Sequence, residues 1–225
     1  MKIAFLLPPS EGKNKGGEYD NHSLSFDFEK PHDISMNVSE KDLKCIGDRY
    51  KEGVQLNKKI FDGPHNIAIK RYSGVMYNAI DYKGMSQDGK SFFEEHFFIL
   101  SGMYGKLKPT DIIGNYKLPI ETKGLLKYWG GTITESLNEM NLDYIINLLP
   151  LSYMKMVNFK ELDSKVININ FLTYKEGKRV KISHGVKKIK GEWIKNICEN
   201  SLKDYNTFGG EVKIHQHMID IDITI

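Results

Sequence analysis

Cysteine is scarce: Cys45 and Cys198 are the only two in 225 residues. They lie far apart and lack CxxC or Cys/His spacing, which excludes the patterns of a zinc site or a redox pair and points to a reducing cytoplasm. Long apolar runs are missing too. The opening MKIAFLLPPSEGK holds only the run Ile3 to Leu7 before Pro8 and Pro9, too short for a signal-peptide core or a membrane span. No GxxxxGK[ST] spacing marks a Walker-type phosphate loop. No internal repeat, low-complexity tract or Pro/Gly/Ser-rich linker divides the chain, so 1–225 reads as a single domain. Strong net charge is absent as well: at +3 with a pI near 8.6, composition alone does not announce a nucleic-acid binder.

What is there is globular: 40% hydrophobic and 27% charged residues suffice for one core. Short apolar runs recur at buried-strand length: Ile3 to Leu7, Ile67 to Ile69, Phe97 to Leu100, Tyr144 to Leu149, Val166 to Phe171 and Val180 to Ile182. The tail from Met218 to Ile223 alternates apolar and acidic residues over its second half, as a half-exposed strand does. Between them lie helical patterns. Ser39 is an N-cap with Asp42 three residues on, followed by a stripe of Leu43, Ile46, Tyr50 and Val54; Gly47 and Gly53 break it into two short helices joined by a tight turn. Leu125 to Met140 and Val186 to Leu202 are longer helices. The fold class is α/β, a mixed β-sheet packed by helices.

Three strand exits offer chemistry. Ser10, Gly12 and Lys13 follow the first strand and place a hydroxyl and an ammonium beyond the carboxyl end of the sheet, where open α/β sheets bind ligands; an ordinary turn with an exposed lysine fits equally. In KRYSGVMY a short strand runs into Gly74. There Arg71 can clamp a phosphate or carboxylate, and Tyr72 or Tyr77 can stack on a base, the alternative being that both tyrosines are core residues. The apolar strand Phe97 to Leu100 empties into SGMYGKLKPTD, where Gly102 and Gly105 permit a sharp turn or a close approach to a ligand. Ser101, Tyr104 and Lys108 supply polar groups there, and Tyr116 and Lys117 continue the loop; a loop packed for structure alone competes.

The last third carries Lys175, Lys178, Arg179, Lys181, Lys187, Lys188, Lys190, Lys195 and Lys203 against Glu176, Glu192 and Glu199, a surface for phosphate or a solvated helix face. In a helix starting near Val186, Lys190 falls inside the arc of Val186, Ile189, Trp193, Ile194 and Ile197. Either its stem snorkels to water, which the spacing favours, or its ammonium enters a pocket and becomes a nucleophile or base. Ser183 and His184 stand at the strand exit before it, His184 as a proton carrier or a hydrogen-bonded structural residue. His215 and His217 share one side of a strand, but an HxH alone lacks a third ligand, and no metal is assigned.

Taken in order, LLPPSEGK, RYSGVMY, LSGMYGKLKPTDIIGNYKL, KYWG, INLLPLSYMK and KISHGVKKIKG resemble the YaaA peroxide-stress protein family across almost the whole chain. The resemblance implies the family's single-domain α/β fold with a cationic cleft, a helix-hairpin-helix-like element, placed here at Ser39 to Phe61, and binding of double-stranded or distorted DNA to limit oxidative damage. Lys108 and Lys117 stand where relatives usually carry arginine, which removes bidentate contact. Gly185-Val186 replaces an aromatic residue followed by asparagine or alanine, and the chain is short for the family.

Two functional readings follow. In one, a cytoplasmic monomer binds DNA through Ser10, Lys13, Arg71, Tyr72, Ser101, Tyr104, Lys108, Tyr116, Lys117, Ser183 and Lys187. In the other, an enzyme acts on a small phosphorylated or nucleobase-like anion with Lys190 and His184 as its catalytic pair. A scaffold whose polar loops only stabilise the fold is the third and blandest reading. The sequence leaves any cofactor unknown and implies no membrane partner.

Overall fold

A run of apolar residues with no polar alternate has no solvent face to offer, and β1 (Ile3–Leu7) is buried along its whole length. The computed structural model describes residues 1–182, 185–200, 210–215 and 218–225. After β1 come α1 (Glu29–Met36), α2 (Glu40–Leu43), α3 (Asp48–Lys58), β2 (Asn66–Ile67), α4 (Ala68–Arg71), α5 (Val75–Ile80) and α6 (Gln87–His96). The chain continues through β3 (Phe97–Ser101), β4 (Gly105–Leu107), β5 (Ile112–Ile113), α7 (Leu125–Asn138), β6 (Tyr144–Asn147) and α8 (Leu151–Met154). It ends with β7 (Lys165–Lys175), β8 (Lys178–Lys181), α9 (Val186–Glu199), β9 (Glu211–Ile214) and β10 (Met218–Thr224).

Most expected elements are present with shifted ends. The Ser39 cap forms a full capping box with Asp42, and Lys44 in the left-handed region and Gly47 at φ 59° make the turn between α2 and α3. Three expectations fail. α3 runs unbroken through Gly53, and β8, where the run at Val180 fits a buried strand, is exposed at every residue. The strand at Ile67 to Ile69 is a two-residue bridge followed at once by α4, so Arg71 sits on a helical turn rather than a strand exit. The end of the α9 pattern, with Leu202 and Lys203, lies outside the described residues, as do Ser183, His184 and His217.

Eight strands form one sheet in the order β4-β3-β1-β6-β7-β10-β9, with β8 paired to β7 off this path, and β2 and β5 form a separate pair. From β3 to β10 neighbouring strands are parallel, and β4, β8 and β9 join antiparallel. On β10, Asp220 and Asp222 accept from Asn168 and Asn170 of β7 (3.0 Å each), which is why the alternating tail tolerates acids in a parallel strand.

The chain leaves β1 for β3 on one side and leaves β6 for β7 on the other. Because β1 and β6 are neighbours whose connections part in opposite directions, a crevice opens beyond their carboxyl ends, the switch point at which α/β sheets bind ligands. Two helices wall it. α9 packs on α5 with Gly191 at the contact, where a Cβ would stand 2.4 Å from the Met76 carbonyl oxygen and 2.7 Å from the Ala79 Cβ.

That contact makes a signed prediction. Gly191→Ala should lower stability by about 1–3 kcal/mol because α9 must move off α5. Gly130→Ala on α7, where a Cβ meets nothing within 4 Å, should raise it by up to about 1 kcal/mol through helix propensity. Urea midpoints of the two variants moving in the same direction would show that the α5–α9 contact is loose.

Candidate functional site

The crevice holds a cavity of about 590 Å³. Its floor is the β1 exit, Pro8 to Lys13; its walls are the start of α5, Tyr116 to Pro119, the β6 exit with Ser152 and Tyr153, and the first turns of α9. Five lysines line it, Lys13, Lys44, Lys117, Lys187 and Lys190, with two carboxylates, Glu11 and Glu121. Lys44 is paired with Glu121 at 2.8 Å. Among the described residues the other four lysines form no ion pair.

Each amine is positioned by a separate part of the fold. Lys13 is held by a hydrogen bond from its Nζ to the Ser10 carbonyl oxygen (3.1 Å), by a bridge of its backbone to Tyr72, and by the Tyr116 ring face 4.2 Å from Nζ. Desolvation by its surroundings, then repulsion from Lys117, lower its pKa to about 7. On α9, Lys190 donates to the Leu148 carbonyl oxygen at the β6 exit (2.6 Å), and burial lowers its pKa to about 8. Its ammonium therefore enters the pocket, where helical spacing favours snorkelling. Backbone carbonyls accept hydrogen bonds from these amines but bring no opposite charge, so they do not cancel the desolvation that lowers both pKa values.

Lys117 is set by a residue the sequence did not single out. Asn57, fully buried in α3, donates from Nδ2 to the Lys117 carbonyl oxygen (3.0 Å) and accepts from its N–H (2.9 Å), fixing that backbone unit as a strand partner would. An asparagine near a helix end gives no sequence signal for this. Tyr77 is a core residue whose hydroxyl donates to the Pro8 carbonyl oxygen (2.8 Å) and fixes the β1 exit.

Under the floor lies a hydroxyl chain. Ser101 Oγ accepts the N–H groups of Met103 and Tyr104 at 3.2 and 3.0 Å, so its own hydrogen goes to Tyr116 Oη at 2.8 Å, which also meets Tyr72 Oη at 2.8 Å. Of these only Tyr116 lines the cavity; Tyr72 and Ser101 orient it from beneath. The approach made by Gly102 and Gly105 is to protein, not ligand: a Cβ would meet the Leu118 carbonyl oxygen at 2.6 Å or the Trp129 ring at 2.7 Å.

Three expected residues stand elsewhere. Arg71 is buried and does not line the cavity, donating to the carbonyl oxygens of Asn14, Gly16, Pro64 and Ile113, so its fork is used to fold the segment after β1. Tyr104 meets His22 Nε2 at 3.0 Å and the Gly114 N–H at 3.1 Å, and His65 approaches His22 Nδ1 at 3.1 Å. Burial lowers the His22 pKa to about 4, so this cluster is neutral packing. Lys108 is exposed in a turn closed by Asp111. Ser10, Lys13, Tyr116, Lys117, Lys187 and Lys190 do share the cavity, whereas Lys44, Ser152 and Tyr153 went unnamed as site residues because their helices carry no local signal for it. Among the described residues no group of three or more His, Cys, Asp or Glu side chains is placed to hold a metal ion, and no helix is long and apolar enough to cross a membrane.

An open, mostly parallel α/β sheet with a lysine-lined cavity at its switch point defines the class as an α/β protein with a candidate site at the carboxyl ends of its strands. The family is more specific: the chain belongs to the Peroxide stress protein YaaA family, whose model matches residues 3–210. It is similar to a UPF0246 protein of Rickettsia bellii, 32% identical over 182 residues that cover 75% of this chain and 73% of the relative. A UPF0246 protein of Polynucleobacter necessarius is 30% identical over 208 residues, 82% and 80% of the two chains. One from Hahella chejuensis is 35% identical over 147 residues, 60% and 57%.

Two measurements test the placement. Asn57→Ala strands the N–H and C=O of Lys117 and should cost about 1–3 kcal/mol; a smaller loss in denaturant titration would mean the loop finds other partners. Lys13 has a folded pKa of about 7 against an ordinary 10.5, so the unfolded chain binds the extra proton between those values and stability rises with pH across that window. Lys13→Met should therefore raise the melting temperature, and the gain should be larger at pH 6 than at pH 10. An equal gain at both would place Lys13 in water.

Proposed function

We propose that this chain serves the peroxide-stress response in the cytoplasm by binding DNA, as a monomer, with the lysine-lined cavity as a cationic cleft. The observation that carries the reading is the convergence of Lys13, Lys117, Lys187 and Lys190 on one cavity without ion-pair partners among the described residues. Amines without carboxylates are suited to phosphates, and a cavity in the ligand range of about 300–1,000 Å³ takes one unstacked nucleotide rather than a duplex. Distorted or unpaired DNA is the better substrate on that ground. The tyrosines Tyr116 and Tyr153 supply rings at the cavity wall for a base to stack on, and the two short helices α2 and α3 are the hairpin element's place beside it. Membership of the peroxide-stress family supports the setting.

Contacts of this kind position phosphates and read little sequence. Replacing Lys187 and Lys190 with alanine should weaken binding to every sequence by a similar factor. The slope of log affinity against log salt should become shallower by about 1 for each phosphate no longer neutralised. A duplex with an unpaired bubble should bind more tightly than the intact one. Titration that finds no salt-dependent affinity for either form ends the DNA reading.

A second reading has its own observation. Generic phosphate binding calls for charged lysines, yet desolvation brings Lys13 to about 7 and Lys190 to about 8, values suited to nucleophiles and bases near neutral pH. Such amines favour an enzyme acting on a small phosphorylated or nucleobase-like anion. In this reading Lys190 acts as a pair with His184 of the preceding strand exit, which lies outside the described residues.

A further inference from the structure

We propose that Lys13 is a covalent capture site, its Nζ adding to the carbonyl carbon of a phosphate-bearing aldehyde to form an imine. An amine that does this needs a free lone pair, access to a cavity, and no carboxylate holding it as an ammonium. Lys13 meets each condition. Its Nζ has one hydrogen-bond partner among the described residues, the Ser10 carbonyl oxygen at 3.1 Å, and Lys13 is one of the residues that line a cavity of about 590 Å³. Among the same residues it forms no ion pair. Its backbone is fixed by the β1 exit and the Lys13–Tyr72 bridge, and its nitrogen stands 4.2 Å from the centre of the Tyr116 ring, which lines the same cavity. The charged groups acting on it are Lys117 and Arg71, which disfavour its protonation, and Glu11, which favours it. Lys190 lines the same cavity, and its Nζ makes the shorter of the two carbonyl hydrogen bonds, 2.6 Å to Leu148 against 3.1 Å from Lys13 to Ser10.

The substrate class follows from the rest of the lining. Lys117 and Lys187 lie on the same cavity without carboxylate partners among the described residues and are suited to a phosphate a few atoms from the carbonyl. The step balances without an oxidant or reductant. The amine lone pair forms the C–N bond as the carbonyl π pair moves to oxygen, and a proton passes from nitrogen to that oxygen. The resulting carbinolamine loses hydroxide, which takes a proton and leaves as water, and the C=N bond remains. Two sources present this chemistry: a free sugar-type aldehyde phosphate, and the ring-opened aldehyde of an abasic deoxyribose in DNA, flanked by phosphates. The second rests on the DNA-binding reading above, whereas the imine itself does not.

Cyanoborohydride reduction tests it with the whole chain, in parallel with glycolaldehyde phosphate and with a duplex carrying one abasic site. Peptide mapping by mass spectrometry should find the reduced adduct on Lys13 ahead of the exposed lysines. Lys13→Arg, whose guanidinium stays protonated, should cut trapping at least about tenfold. Unphosphorylated glycolaldehyde should be trapped less well, and Lys187→Ala should narrow that difference. Because the map is read on the unaltered chain, a misfolded variant leaves the result intact. Adducts spread over surface lysines with Lys13 unmodified in both arms overturn the proposal, even if the duplex still binds with a salt dependence. A Lys13 adduct with the free phosphate but not the duplex keeps the imine and removes DNA as its source.

Discussion

The burial of β1 between β3 and β6 is the constraint on which the site depends. Every residue from Ile3 to Leu7 is at most 4% exposed, and a strand covered on both faces must hold its register against both neighbours. Phe5 shows this: it pairs in register with Phe97, stacking at 4.3 Å, and with Ile146 on the other side. The residues after Leu7 are therefore delivered to one point in space. Two hydrogen bonds extend that rigidity past the strand ends, Tyr77 to the Pro8 carbonyl and Lys190 to the Leu148 carbonyl, each tying a helix to a strand exit.

That frame explains why Arg71 matters without touching the cavity. The segment 14–16 leaves the sheet with no strand to satisfy its carbonyls, and the guanidinium caps two of them along with Pro64 and Ile113. A buried arginine bonded only to neutral carbonyls keeps its charge through hydrogen bonds, not an ion pair. Its positive charge then bears on Lys13 and favours the neutral amine. That charge is the smallest of the effects on Lys13, after desolvation, Lys117 and Glu11.

What the sequence made legible follows the range of the interactions. The Ser39–Asp42 capping box, the apolar β1 and β3, and the alternating β10 are set by neighbours a few residues away, and they stand where spacing put them. The run at 67–69 was illegible because three apolar residues fit a buried helical turn as well as a strand. For Lys190, helical spacing gave the correct arc but not the Leu148 carbonyl, which arrives from 42 residues away. Asn57 and Lys117, 60 residues apart, have no local sign of each other. Strand exits located the cavity; the partners that decide protonation came from tertiary contacts.

The two uses proposed for the cavity compete for one nitrogen, and linkage says how they coexist. An anion brought against Lys13 favours its ammonium, so phosphate binding there would take up a proton and abolish the nucleophile. Lys187 is exposed at the cavity edge, so it can hold a phosphate at less desolvation cost than Lys13. On the proposed use, a ligand anchored by its phosphate at Lys187 leaves the Lys13 lone pair free of the anion. The gradient from solvated to desolvated lysine across one cavity therefore separates anion binding from amine chemistry, which four equally exposed lysines would not do.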